Sequence, residues 1–173
     1  MTLADLSLLV LRAVVGLTFA GHGAQKAFGW WNGPGPQKWE AAMTMMRFHP
    51  ARFWAVLSIG VELIGGLLVA LGFLTPWATT ALIGQSAVII LKAHLPKGFW
   101  NRDGGIEFPL ALAAGLIAIL GVGAGSYAID SVIGYGLPET ARWLLLAIGI
   151  VGGVASYWLT QMAPAQESAP QQR

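Results

Sequence analysis

The sequence predicts an all-α integral membrane protein, a bundle of four or five transmembrane helices. Charged residues make up 10% of the chain and hydrophobic ones 55%, whereas a soluble domain typically carries about 25% charged residues. The apolar residues gather into five segments, and a helix needs roughly 20 such residues to cross a bilayer. The 173 residues suit one compact unit better than several domains.

The first segment covers residues 6–28, and the second, residues 53–74, carries the one deep acid, Glu62. The third covers 77–95 and follows Thr75-Pro76, which favours a tight turn. The fourth covers 106–122 and runs into a glycine-rich stretch. The fifth covers 141–160 and is opened by Pro138-Glu139-Thr140, a reasonable helix start. Residues 163–173 are polar and of low complexity, the composition of a disordered tail. No cleavable signal peptide is expected, because the first segment lacks a basic leader and has Arg12, His22 and Lys26 within or beside it.

Composition also excludes functions. The absence of cysteine rules out disulfides, thiol catalysis, iron–sulfur clusters and thiolate zinc sites. A net charge of +2 is too small to point to nucleic acid. Its partner is the lipid bilayer. Lys26, Lys38, Arg47, Arg52, Lys92, Lys97 and Arg102 cluster around the first and third connections. The bias of basic residues to cytoplasmic loops then predicts an outside N-terminus and a cytoplasmic C-terminus.

Glycine favours close packing of helices in lipid, where association depends on packing rather than on exclusion of water. Gly16 and Gly23 on the first segment, and Gly60, Gly65, Gly66 and Gly72 on the second, are read this way.

Charge at membrane depth is costly, so it faces the bundle interior and finds a partner. Arg12 and Lys26 lie 14 residues apart, on one helix face at about 100° per residue. Arg12 is the expected partner of Glu62 in an intramembrane ion pair, fixing helix register as readily as carrying function. His22, one turn before Lys26, brings an imidazole towards its ammonium. A second polar cluster surrounds the third connection: Lys92, His94, Asn101, Arg102, Asp103 and Glu107. From these, His22, Lys26, His94, Asn101 and Glu107 are expected to converge at one end of the bundle as a ligand site, since three helix ends meet there. The competing reading is that they cap helix ends and satisfy loop backbone. Trp30 and Trp31 suit the interfacial belt. Metal binding is not expected: no histidine or carboxylate pair has the helical spacing of common metal sites. Haem with two axial histidines is disfavoured too.

The string Leu11-Arg12 to Gly16, Gly21-His22-Gly23-Ala24-Gln25-Lys26 and Phe28-Gly29-Trp30 resembles the opening of the DoxX family of small bacterial membrane proteins. Gly33-Pro34-Gly35 and Glu62-Leu63-Ile64-Gly65-Gly66 continue the resemblance. It is most specific at His94-Leu95-Pro96-Lys97-Gly98-Phe99, Asn101, Gly104-Gly105, Glu107 and Pro109, and Tyr127-Ala128-Ile129-Asp130 resembles the closing motif. The resemblance implies a four-helix core over residues 1–136 in a bacterial inner membrane. Residues 137–162 would be an additional helix and 163–173 the tail. Ile106 and Phe108 depart from the pattern, where the family often has tyrosines. DoxD-like relatives supply a membrane subunit of a thiosulfate:quinone oxidoreductase. Another member partners an oxidoreductase assembly connected with superoxide and thiol defence. What is implied is therefore a redox-linked subunit that holds a quinone or anchors a soluble oxidoreductase. A non-enzymatic scaffold and a small-solute or proton pathway are the alternatives. With no nucleophile or nucleotide fingerprint evident, catalysis by this chain alone is not expected.

Overall fold

The computed structural model describes residues 2–162; the expected tail, 163–173, lies outside the described residues. Helices α1 (Leu3–Phe28), α3 (Ala51–Leu71), α4 (Thr75–Lys97) and α7 (Glu139–Met162) are each long and apolar enough to cross a membrane. Between them stand α2 (Gly35–Met45), α5 (Glu107–Val122) and the single turn α6 (Ile129–Val132). This is an all-α, multi-pass membrane bundle.

Among the described residues four spans thus meet the length requirement. The fourth apolar segment becomes α5, whose 16 residues rise about 24 Å, less than a hydrocarbon core of about 30 Å. It packs against α4, α1 and α7. The first connection, expected as a loop, contains α2.

Local chemistry sets the ends. Thr2 and Asp5 form a reciprocal cap on α1: Thr2 Oγ1 accepts from the Asp5 N–H at 3.2 Å, and Asp5 Oδ2 accepts from the Thr2 N–H at 2.8 Å. Gly72, at φ 66°, ends α3 in the left-handed conformation that glycine adopts without a Cβ penalty.

Glycines bring helix backbones into close contact, as expected for Gly16, Gly23 and Gly66, and the contacts fix helix register. A Cβ on Gly16 would strike the backbone of Gly66 and Ala70, and one on Gly23 would strike Leu63. On α4 and α7, Gly84 faces Gly149 and Gly153 in the same manner. Gly60 meets no neighbour within 4 Å, so close packing does not account for it. The core lies between these helices, with Val15, Phe19, Val69, Leu82, Leu116 and Ile119 at its centre. Outward faces stay apolar, for example Trp143, Leu144, Ile148 and Val151 of α7, as lipid contact requires.

Candidate functional site

The antiparallel register set by Gly16–Gly66 and Gly23–Leu63 decides which charges meet. Continued along both helices, it carries Glu62 to Lys26 and Gly72 to Arg12. Lys26 Nζ accordingly lies 2.5 Å from both Glu62 carboxylate oxygens, with 12% and 1% of the two side chains exposed. The expected Arg12–Glu62 pair does not form. The two residues lie at different levels of the α1–α3 interface, and spacing along α1 alone does not reveal the register.

Glu62 sits in a π-helical turn, Val61–Gly65, a widened geometry that often marks functional positions. Gln85 of α4 donates to Glu62 Oε1 at 3.2 Å. Lys26 also stands 4.2 Å from the centre of the Trp39 ring, a cation–π contact. Trp39 Nε1 in turn donates to Ser58 Oγ at 2.7 Å. Trp39, Ser58 and Gln85 therefore separate the ion pair from the space beyond them.

That space is a cavity of about 400 Å³ between α2, α3, α4 and α7. Trp39, Met43, Phe48 and Trp54 form its aromatic and thioether side, and Gly149, Gly152 and Gly153 of α7 form the opposite one. Along α4 it extends from Thr80 to Lys92, about 18 Å of helix rise. From that helix Gln85 and Lys92 supply an amide and an ammonium, while the Thr80 hydroxyl donates to the Pro76 carbonyl oxygen at 2.7 Å. The volume lies within the range of roughly 300–1,000 Å³ usual for small-molecule sites, which combine apolar walls with a few polar groups.

Of the five residues expected to converge, Lys26 is drawn inward to Glu62. The others lie at the same end of the bundle but make different bonds. His94 Nδ1 is 2.7 Å from the Gly104 carbonyl oxygen and 3.1 Å from that of Gly105. Glu107 Oε2 accepts from the Asn101 backbone N–H at 2.9 Å. His22 Nδ1 is 3.2 Å from Gln25 Oε1, and its ring meets Phe108 edge-on at 6.3 Å. The bonds of His94, Asn101 and Glu107 hold the third connection in shape. Among the described residues no group of three or more histidines and carboxylates is placed to hold a metal.

Residues that sequence reasoning passed over include Trp39, Ser58, Gln85 and the glycine face of α7. A signal for α2 was available: Trp39, Met43 and Met46 fall at i, i+4 and i+7, one helix face.

At the other end of the bundle Arg12 is fully buried. Its Nη2 donates to the Tyr127 carbonyl oxygen at 2.9 Å, and Nη1 lies where a Cβ on Gly72 would be. Asp130 accepts from the backbone N–H groups of Leu74 and Thr75 at 2.7 and 2.8 Å, capping the start of α4. The Asp130 N–H donates to the Gly72 carbonyl oxygen at 2.8 Å. This end is a packed knot around the α3–α4 turn.

Residues 7–95 match the family model of DoxX. An uncharacterized membrane protein of Mycobacterium tuberculosis is 32% identical over 134 residues, covering 72% of this chain and 79% of that protein. An uncharacterized protein of Haemophilus influenzae is 29% identical over 146 residues, covering 82% and 91%. No solved structure matches.

Proposed function

The chain belongs to the DoxX family, and on that premise we propose that it is a non-catalytic membrane subunit of a redox-linked complex, holding a lipid-soluble ligand of the quinone class. The cavity carries this reading. A quinone needs an apolar, aromatic slot at membrane depth and hydrogen-bond donors for its oxygens. Trp39, Phe48 and Trp54 offer the first, Gln85 and Lys92 the second. The distribution of basic residues supports a cytoplasmic loop-rich end and an outside N-terminus in a bacterial inner membrane.

The test is quenching of tryptophan fluorescence by a short-tailed quinone, with the full chain in lipid nanodiscs. Saturable quenching that Trp39→Phe and Trp54→Phe each weaken is expected. Gly152→Phe should abolish it while the protein stays folded, because Gly152 lines the cavity and a Cβ there meets no atom within 4 Å. Linear, non-saturable quenching would overturn the reading.

The scaffold reading is favoured by the bonds of His94, Asn101 and Glu107, which serve the third connection. It predicts that Gly152→Phe retains a soluble oxidoreductase partner and the activity of the whole complex. Loss of that activity with the partner still bound would favour the ligand-holding role.

A further inference from the structure

Gln85 and Lys92, the amide and the ammonium that line the cavity, differ in charge. Gln85 leads to the Lys26–Glu62 pair, in which an acid balances the cation. Lys92 has no such balance. Its Nζ donates to Thr160 Oγ1 at 2.7 Å and stands 5.9 Å and 5.7 Å from the ring centres of Phe48 and Tyr157. Thr160 donates in turn to the Tyr157 carbonyl oxygen at 2.7 Å, so it brings no negative charge. Among the described residues the carboxylate pairs are Lys26–Glu62 and Arg102–Asp103, and neither involves Lys92. Arg47, the residue before Phe48, adds a second positive charge near it.

An ammonium at the rim of an apolar chamber, held by one hydroxyl and two rings, is costly to bury and attracts an anion. Basic pockets between transmembrane helices bind anionic head groups for this reason. The cavity runs inward from Lys92 between apolar walls, which suits a molecule with one charged end and an apolar body.

We propose that the cavity is selective for acidic amphiphiles, with the oxyanion seated on Lys92 and the apolar body lying between Trp39, Met43 and Trp54. This inference rests on the ligand-holding reading and narrows its ligand from quinones in general to those bearing an ionised hydroxyl. A fatty-acid carboxylate presents the same chemistry.

The experiment uses the full chain in nanodiscs of phosphatidylcholine, a lipid without net charge. Two probes share a ring and tail: a 2-hydroxy-3-alkyl-1,4-naphthoquinone, ionised at neutral pH, and its uncharged 2-methyl counterpart. Tryptophan quenching should show the ionised probe binding about tenfold more tightly, the gain of one charge-assisted hydrogen bond. Lys92→Met should bring the ratio close to one, and Lys92→Arg should keep it. Arg47→Gln, at an exposed loop position, should lower the ratio about twofold to threefold, as expected for an exposed charge. It serves as the test if Lys92→Met fails to fold. Dodecanoate is added as a competitor. Displacement of the ionised probe assigns the site to oxyanion amphiphiles generally, and no displacement assigns it to ring acids. Equal binding of the two naphthoquinones, or a ratio unchanged in folded Lys92→Met (in Arg47→Gln where Lys92→Met does not fold), would overturn the selectivity alone. Binding of neither would overturn the ligand-holding reading itself.

Discussion

The bundle buries charge at both ends, and the two ends treat it differently. Around Arg12 and Asp130, the α3–α4 turn, the 125–130 segment and α1 interlock through backbone groups. Around Lys26 and Glu62, two oppositely charged side chains meet directly, and a cavity of about 400 Å³ lies behind the residues that touch them. Intramembrane charge by itself therefore does not distinguish a structural clamp from a functional site. What distinguishes these ends is the space beside the charge. At the clamp, Asp130 caps the backbone of a turn and packing leaves no room beside the charge, whereas a binding site leaves volume next to groups that can still donate.

The largest loss of stability is expected at Glu62. Glu62→Leu strands a buried ammonium, and removal of one partner of a buried ion pair costs about 3–5 kcal/mol. Thermal unfolding in detergent should show the loss. Adding Lys26→Met should recover most of it, whereas adding Arg12→Met should recover none. Rescue by the Arg12 change would mean that the register across α1 and α3 differs from the one described.

At the opposite end, Asp130→Ala removes the acceptor for two backbone N–H groups, that of Thr75 buried and that of Leu74 partly so. Leaving such groups unsatisfied costs about 1–3 kcal/mol. The same unfolding measurement checks this, and quinone affinity should stay within about twofold of the parent, since distant sites act independently. A large loss of affinity without a loss of stability would show that the clamp also serves the ligand.

Smaller in stability, but specific to the cavity side, is Trp39→Phe. It loses the Nε1 bond to Ser58, a net change of about 1 kcal/mol, and should reduce quinone-dependent quenching. Undiminished quenching would place the ligand away from the ion pair. Lastly, single cysteines are unique labels in a chain that has none. Lys38→Cys and Arg102→Cys should react with an impermeant thiol reagent only from the cytoplasmic side, and Gly136→Cys only from outside. All three positions are exposed, so no change in stability accompanies them. The reverse pattern would turn the loop-rich end towards the outside.

Hydropathy located the apolar segments because the demand of lipid for continuous apolar length acts on each segment alone. It overlooked α2, whose exposed face carries Lys38 and whose apolar stripe, Trp39, Met43 and Met46, is too short to stand out in a long window. The roles of His94 and Glu107 were ambiguous in the same way. A histidine and a carboxylate near helix ends serve a ligand or a loop equally well until the backbone they face is known.

Composition and periodicity were enough for the membrane class, the helical architecture, the glycine contacts of α1 with α3 and the presence of buried charge. Each follows from a cost that every segment bears separately, namely exposed backbone polar groups or charge in hydrocarbon. Which charges meet was settled only in three dimensions. Arg12 and Lys26 lie on the same face of α1, and the choice between them for Glu62 depends on a sliding register that close glycine contacts lock. The cavity belongs to the assembled bundle for the same reason. Its walls come from four helices, distant in sequence, and an empty volume is a property of how surfaces fail to meet rather than of any one of them.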